Sequence, residues 1–387
     1  MSPALKTCIA LLLATGLAGC TFQIPASTST PACPAAPRFA ESALRDPLPA
    51  TALKVGAFNA APMARTAASR LDEALAQIAA KTGADGVTVA VMHPRLGLWS
   101  RTTAPAAGPA RPVFWWASVG KAFTATVIRQ MVAEGKVSLT DPLSRWHPDL
   151  ANAQAITLDQ LLRHTSGLYS FQQDESFRAR KGYVPPGQLL AIALSRPLDF
   201  CPGSKWSYSN TGYVLLAQIA EAIDGKPYDR IVADRLIAPL GLTTTRILRP
   251  DERPRSLAVP TPYGDGFSPS TPFGAGAVIS GAEDMARFWH AVLAGRFESA
   301  ASLRTAFSEL HPMFGQPMAY GQGVMVTDVP DPQRPSTWLS HAGGTEDMSA
   351  LVAYDTRSGT IVAVAFNSKI SAEATANALL KALDAEP

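Results

Sequence analysis

Residues 113–135 read VFWWASVGKAFTATVIRQMVAEG. An aromatic run (Val113, Phe114, Trp115, Trp116) leads to Ser118, and Lys121 follows three residues later. From Ala122 to Val132 the stretch is apolar on nearly every side, and it stops at Gly135. A helix that is hydrophobic all round is a buried one. A serine on its first turn lies where backbone N–H groups point toward incoming negative charge. A lysine three residues on shares its face of the helix. A serine hydroxyl is a poor nucleophile at neutral pH and needs a proton acceptor beside it. A desolvated lysine, or a tyrosine next to one, supplies that acceptor. The stretch therefore predicts a buried helix with Ser118 as nucleophile and Lys121 as its partner. The plainer alternative is that Ser118 only caps the helix.

Working outward, strands cluster at both ends of the chain. Gly86 to Met92 reads as a strand, with Gly97 to Thr103 as its hairpin partner. Ser349 to Tyr354 and Thr360 to Asn367 form a second strand pair around a turn at Asp355 to Gly359. Helices are expected over Ala67 to Lys81 and Ser371 to Leu383. Between these ends the sequence is helical. Thr157 to Gln160 and Ser280 to Glu283 both read as capping boxes, and Thr211 to Asp224 is apolar at helical spacing up to Gly225. The expected fold class is α+β: an antiparallel sheet flanked by N- and C-terminal helices, with an inserted all-helical region.

The chain has 387 residues, 47% hydrophobic and 17% charged, with 34 Lys+Arg against 31 Asp+Glu. That apolar content builds a large core, and a net charge of +3 without a basic stripe argues against a nucleic-acid partner. Residues 1–19 read as an export signal with one charge, Lys6, and an apolar stretch too short to span a bilayer. Leu17-Ala18-Gly19-Cys20 resembles a bacterial lipobox, which implies cleavage before Cys20 and lipid on it. Thr21 after it implies sorting to the outer membrane, facing the periplasm, in a diderm host. The membrane contact is then through this lipid only. Residues 20–60, rich in Pro, Ala and Ser, read as a tether, and residues 61–387 as the folded domain. In an oxidising compartment Cys33 and Cys201 can pair, but nothing in the sequence brings them together, so two free thiols are expected.

Two further motifs accompany Ser118 and Lys121. Tyr208-Ser209-Asn210 is the only Tyr-x-Asn in the chain, and His341-Ala342-Gly343 is the only His-x-Gly. At this composition S-x-x-K, Y-x-N and H-x-G arise by chance roughly 0.75, ~0.1 and about 0.4 times. None decides alone, but all three together are expected only ~0.03 times. His93, His147 and His311 each precede proline and lack metal-ligand spacing. No phosphate-binding or dinucleotide motif occurs, so neither metal nor cofactor is expected. His164 and the Trp115-Trp116 pair are read as structural.

The ordered set S-x-x-K, Y-x-N, [KH]-x-G resembles the serine β-lactamase and D-alanyl-D-alanine carboxypeptidase superfamily. Leu161 to Leu168, Pro202 to Tyr213, Pro239 to Leu242 and Gly274 to Met285 are similar to its class C branch, and the resemblance runs from about Ala67 to Leu383. It implies Ser118 as the acylated nucleophile and Lys121 as acceptor or relay of its proton. Tyr208 would be the general base, its pKa lowered by nearby Lys121. Asn210 would orient the substrate amide, and His341 and Gly343 would line the opposite wall. The N–H groups of Ser118 and Gly344 would form the oxyanion hole. Lysine is usual at position 341 in the β-lactamases of this branch. Histidine there looks more like the carboxypeptidases, D-aminopeptidases and esterases. The expected activity is a serine hydrolase on amide or ester substrates, D-alanyl peptides of peptidoglycan included. A carboxylesterase, a β-lactamase or a silent peptidoglycan-binding module are the alternatives, and a monomer is expected.

Overall fold

The computed structural model describes residue 33 and residues 44–384 apart from 54, 85, 105–111, 253, 259–267 and 316. Both chain ends build one sheet. Strand β1 (Val87–His93) pairs with its hairpin partner β2 (Gly97–Thr103) on one side. On the other it pairs antiparallel with β11 (Thr360–Phe366), in the register Val87 to Phe366. β10 (Ser349–Asp355) and β9 (Ser336–Gly344) follow. Every residue of β1 and β11 is buried, because helices cover both faces of the sheet. The helices Arg65–Thr82 and Ala372–Asp384 pack Leu71, Leu379 and Leu380 on Val89, Val91 and Val364. The helix Ala282–Leu293 and the helical region bury the other face.

The inserted region carries the nucleophile helix Gly120–Ala133, which is buried from Gly120 through Arg129. It packs against Asn210–Asp224, which ends at Gly225 as expected. Leu158–Arg163 starts with the expected capping box: Thr157 Oγ1 accepts from the Gln160 N–H, and Gln160 Oε1 accepts from the Thr157 N–H. A small sheet orders β3 (Phe114–Trp115), β5 (Val278–Ser280) and β4 (Arg246–Ile247), and fixes the strand that delivers Ser118.

The expected fold class stands, with one extension and three corrections. First, the main sheet has eight strands, continuing past β9 to β8 (Met325–Val329), β7 (Met318–Tyr320) and β6 (His311–Pro312). Second, Ser280 ends β5 instead of capping a helix. Its hydroxyl donates to Gly281 O, and Gly281 is the cap.

Third, the second half of the expected tether lies against the domain. Arg45 N–H donates to Leu310 O and its guanidinium pairs with Asp328 at 2.7 Å, while Leu48, Leu53, Val55 and Phe58 pack on the core. Prolines restrict the backbone of this segment, which makes a short 3₁₀ turn at Ala50–Leu53, but they do not stop apolar side chains spaced along it from docking. Fourth, Cys33 and Cys201 form a disulfide, with Cα atoms 5.4 Å apart. The fold supplies the proximity that a sequence separation of 168 hid. The signal residues 1–19 and Cys20 lie outside the described residues. No described helix is long and apolar enough to cross a membrane.

Candidate active site

The turn that presents Ser118 is held from three directions. Trp116 N–H donates to Val278 O at 3.0 Å, and its indole N–H to Ser280 O at 3.0 Å. The Trp115 indole donates to Gly276 O at 2.7 Å. Ala117 is thereby held at φ +43°, a left-handed conformation that a residue with a Cβ rarely adopts. Local strain of this kind persists only where the surroundings over-determine it. Ser118 then sits in a short 3₁₀ turn, Ala117–Val119, feeding straight into Gly120–Ala133, and is half-buried.

Gly343 at the end of β9 abuts this turn. A Cβ there would come within 2.2 Å of Trp116 O and 3.0 Å of Ser118 N, so only glycine lets the two backbones meet. This contact puts Gly344 and Ser118, the expected oxyanion pair, in the walls of one cleft. The cleft, about 540 Å³, is also lined by Tyr208, Asn210, Gln172 and Phe314, with Lys369 and Glu373 on its rim.

Lys121 is wholly buried. Its Nζ lies 3.1 Å from Ser118 Oγ and donates to Ala275 O at 2.7 Å. That carbonyl comes from a turn that must pass close to the nucleophile: a Cβ on Gly276 would sit 2.9 Å from Ala117 O. The rings of Tyr208 and Tyr213 lie 4.9 and 5.5 Å from Nζ. Burial alone pushes the amine well below its ordinary range. A neutral amine has two N–H donors and one lone pair. One N–H goes to Ala275 O, and the lone pair can take the Ser118 hydroxyl proton.

Tyr208 shares a hydrogen bond with Ser118. Its placement depends on His164, which closes the helix Leu158–Arg163 in a left-handed conformation, φ +64°. His164 O accepts from Ser207 N–H at 3.0 Å, and His164 Nδ1 from Ser209 N–H at 3.2 Å. Both neighbours of Tyr208 are thus tied to one buried histidine, whose ring lies 4.2 Å from the phenol ring. The structural reading of His164 holds, and the role is specific: it positions Tyr208. The expected pKa of Tyr208 is corrected. Burial pushes the phenol up, the bond with Ser118 opposes this, and Lys121 contributes no lowering. Burial thus disfavours both the phenolate of Tyr208 and the ammonium of Lys121, which makes the lysine amine the candidate proton acceptor beside Ser118. Asn210 begins the helix Asn210–Asp224; its Nδ2 donates to Gln172 Oε1, a partner the motif does not reveal.

His341 departs furthest from expectation. It does not line the cleft wall, because strand alternation points Ser340 and Ala342 to one face of the sheet and Leu339 and His341 to the other. There its ring is fully buried, with Nδ1–H donating to Ala342 O at 2.7 Å and Nε2 accepting from Tyr320 O–H at 3.0 Å. Burial, and then Lys121, lower its pKa to about 3. It is a neutral strut under the site and holds no charge for a substrate. Among the described residues no three His, Cys, Asp or Glu side chains gather to hold a metal ion.

The beta-lactamase family model matches residues 71–386. The chain belongs to the beta-lactamase family. It is 30% identical over 271 residues to penicillin-binding protein 4* of Bacillus subtilis, covering 62% of this chain and 57% of that protein. It is 31% identical over 189 residues to the D-alanyl-D-alanine-carboxypeptidase/endopeptidase AmpH of Escherichia coli, covering 47% of this chain and 49% of AmpH. The chain spans about half the length of the curated relatives it matches. The solved D-stereospecific amidohydrolase from Streptomyces superposes with a TM-score of 0.67 at 27% identity, over 81% of this chain and 98% of that one. For this beta-lactamase-family chain, β1, β2, β10, β11 and the helical insertion make up the family's α+β architecture.

A buried lone lysine destabilises the fold at neutral pH. The unfolded chain protonates it up to its ordinary value near 10.5, while the folded chain does so only at lower pH. Stability from this group therefore rises with pH. Lys121→Met is expected to raise unfolding stability at pH 7 by about 1–2 kcal/mol. The gap to wild type should shrink as pH approaches 10, and acylation of Ser118 should be lost. Urea unfolding at pH 7 and 9.5 checks this; a less stable variant would mean that Lys121 is charged and paired.

Proposed function

We propose that this chain is a serine hydrolase that works through an acyl-enzyme on Ser118, cleaving amides or esters, with D-configured peptides and amino-acid amides as the substrate class. The observation that carries the reading is the buried Lys121 amine 3.1 Å from Ser118 Oγ. Ser118 Oγ attacks the substrate carbonyl, and its proton passes to the Lys121 lone pair. The oxyanion faces the N–H groups of Ser118 and Gly344, each such donor contributing about 3 kcal/mol of transition-state stabilisation. The phenol of Tyr208 gives its proton to the leaving nitrogen or oxygen as that bond breaks, and is reprotonated from Lys121. Water then attacks the acyl ester and releases Ser118. Asn210, braced by Gln172, orients the acyl part.

The relatives' names, a D-alanyl-D-alanine-carboxypeptidase/endopeptidase and a D-stereospecific amidohydrolase, support D-alanyl and other D-configured amide substrates. The neutral His341 favours bonds whose leaving group carries no carboxylate. On that ground an amidase or esterase reading stands ahead of a carboxypeptidase or β-lactamase one. A silent binding module is disfavoured by Ser118, Lys121 and Tyr208 lying within contact of one another.

We place the enzyme at the cell envelope, exported and anchored by lipid on Cys20. The lipobox-like sequence supports this, and so does a disulfide, which persists in an oxidising compartment. Several acyl chains on one residue would hold it at the membrane.

Three outcomes test the proposal. A fluorescent fluorophosphonate or penicillin should label the tryptic peptide containing Ser118, and Ser118→Ala should lose label and at least about 99% of ester and amide turnover; a variant that keeps a tenth of the activity sinks it. Because His341 stays neutral down to about 3, KM for a carboxylate-bearing D-alanyl peptide should be flat from pH 5.5 to 8; a rise in KM across that range would restore the imidazolium as an anchor. Radiolabelled palmitate should enter the full chain and not Cys20→Ser, and equal incorporation in both would remove the lipid anchor.

A further inference from the structure

Phe314 breaks two rules at once. It is 64% exposed, and Leu44 is the only other large apolar side chain exposed among the described residues. Its backbone is left-handed, φ +55°, and Gly315 follows at φ +63°. A hairpin tip with this geometry suits Asn, Asp or Gly, and a bulky residue there is strained. The tip joins β6 to β7, closed by Met313 N–H donating to Met318 O at 3.0 Å.

The place of this residue is what gives the strain a use. Phe314 lines the cleft of Ser118. Behind it the Trp206 ring stands edge-on at 5.4 Å, and the ring of Tyr208 lies at 6.2 Å. Trp206 and Tyr208 are two residues apart on one segment, so the aromatic shelf is continuous with the group that protonates the leaving atom. Met325, under the same cleft, also lines a mainly apolar cavity of about 340 Å³ with Met318 and Trp338. Apolar surface therefore gathers on the Tyr208 side of the nucleophile.

We propose that Phe314, backed by Trp206, forms a subsite for an aromatic or branched aliphatic group on the leaving side of the scissile bond. This rests on the hydrolase reading above and adds the chemical class of the leaving group. The side chain of Phe314 stays open to water in the free protein and is covered when that group binds. Burying one such face changes discrimination by about tenfold or more.

The test compares D-alanine methyl ester with D-alanine benzyl ester, whose leaving alcohols are of similar acidity. Wild type should prefer the benzyl ester in kcat/KM. In Phe314→Ala and Phe314→Asn the benzyl-to-methyl ratio should fall about tenfold, mainly through KM, and Phe314→Trp should restore most of it. The Asn variant suits the turn, so a melting temperature at or above wild type shows that the hairpin is intact. An unchanged ratio, or a wild type without benzyl preference, overturns the subsite while fluorophosphonate labelling of Ser118 still stands for the hydrolase reading. Absence of that labelling overturns both.

Discussion

A single amine taken out of water governs the architecture around Ser118. No carboxylate pairs with Lys121 among the described residues, and burial is the sole cause of its shift. Moving an unpaired ammonium into such a place is costly, so burial favours the uncharged amine. Neutrality in turn requires that water stay out on every side. The nucleophile helix is buried nearly all round, the rings of Tyr208 and Tyr213 cover the amine, and the Ala275 carbonyl takes one N–H. Each of these demands a close backbone approach elsewhere, which is why Gly276 and Gly343 stand where a Cβ would collide with the turn at Trp116 and Ala117. Function is thus bought with local instability, and the large core on both faces of the sheet offsets it.

The sequence made the ends of the fold legible and its middle only partly so. β1, β2, β10 and β11 are each seven residues long, apolar or alternating, with turn residues between them. Periodicity needs that length to speak. β6 and β7 are two and three residues, and β9 carries a histidine and two glycines, so none shows a strand pattern. Thr157 and Ser280 have the same capping signature, but Ser280 is the last residue of β5, its hydroxyl is turned to Gly281 O and Thr245, and the helix opens one residue later at Gly281. The disulfide was out of reach for a different reason: proximity across 168 residues is a property of the fold and not of either neighbourhood.

At the site, residue types were legible and orientations were not. The spacing Ser118 to Lys121 is fixed by helix geometry, so the pair could be read directly. His341 was misplaced because its role depends on strand parity, and parity needs the register of β9 against β10, which pairs His341 with Val352. Tyr208 was given the wrong direction of shift because its own burial, invisible in the sequence, outweighs the hydrogen bond with Ser118. Gln172, Phe314 and Lys369 carry no motif and reach the cleft from separate loops. The one signal for Phe314 was a phenylalanine directly before Gly315, between two strands too short to see.

The charge pattern of the cleft follows from these placements. With His341 neutral below its floor, the lining carries Lys369 and Glu373, opposite in sign and on one rim. Exposed charges are screened within about 8 Å at physiological salt, and a pair of opposite sign cancels sooner. Long-range attraction therefore does not select the substrate, and short-range contacts must. The Asn210 Nδ2 gives one of its two N–H groups to Gln172, and the amide oxygen of Asn210 is the acceptor it offers to a substrate N–H. An acyl part bearing an N–H satisfies that oxygen, and one without it would strip water from the oxygen and return nothing, a loss of about 1–3 kcal/mol. On the hydrolase reading, this one acceptor separates amino-acid-like acyl groups from plain fatty ones without any charged contact.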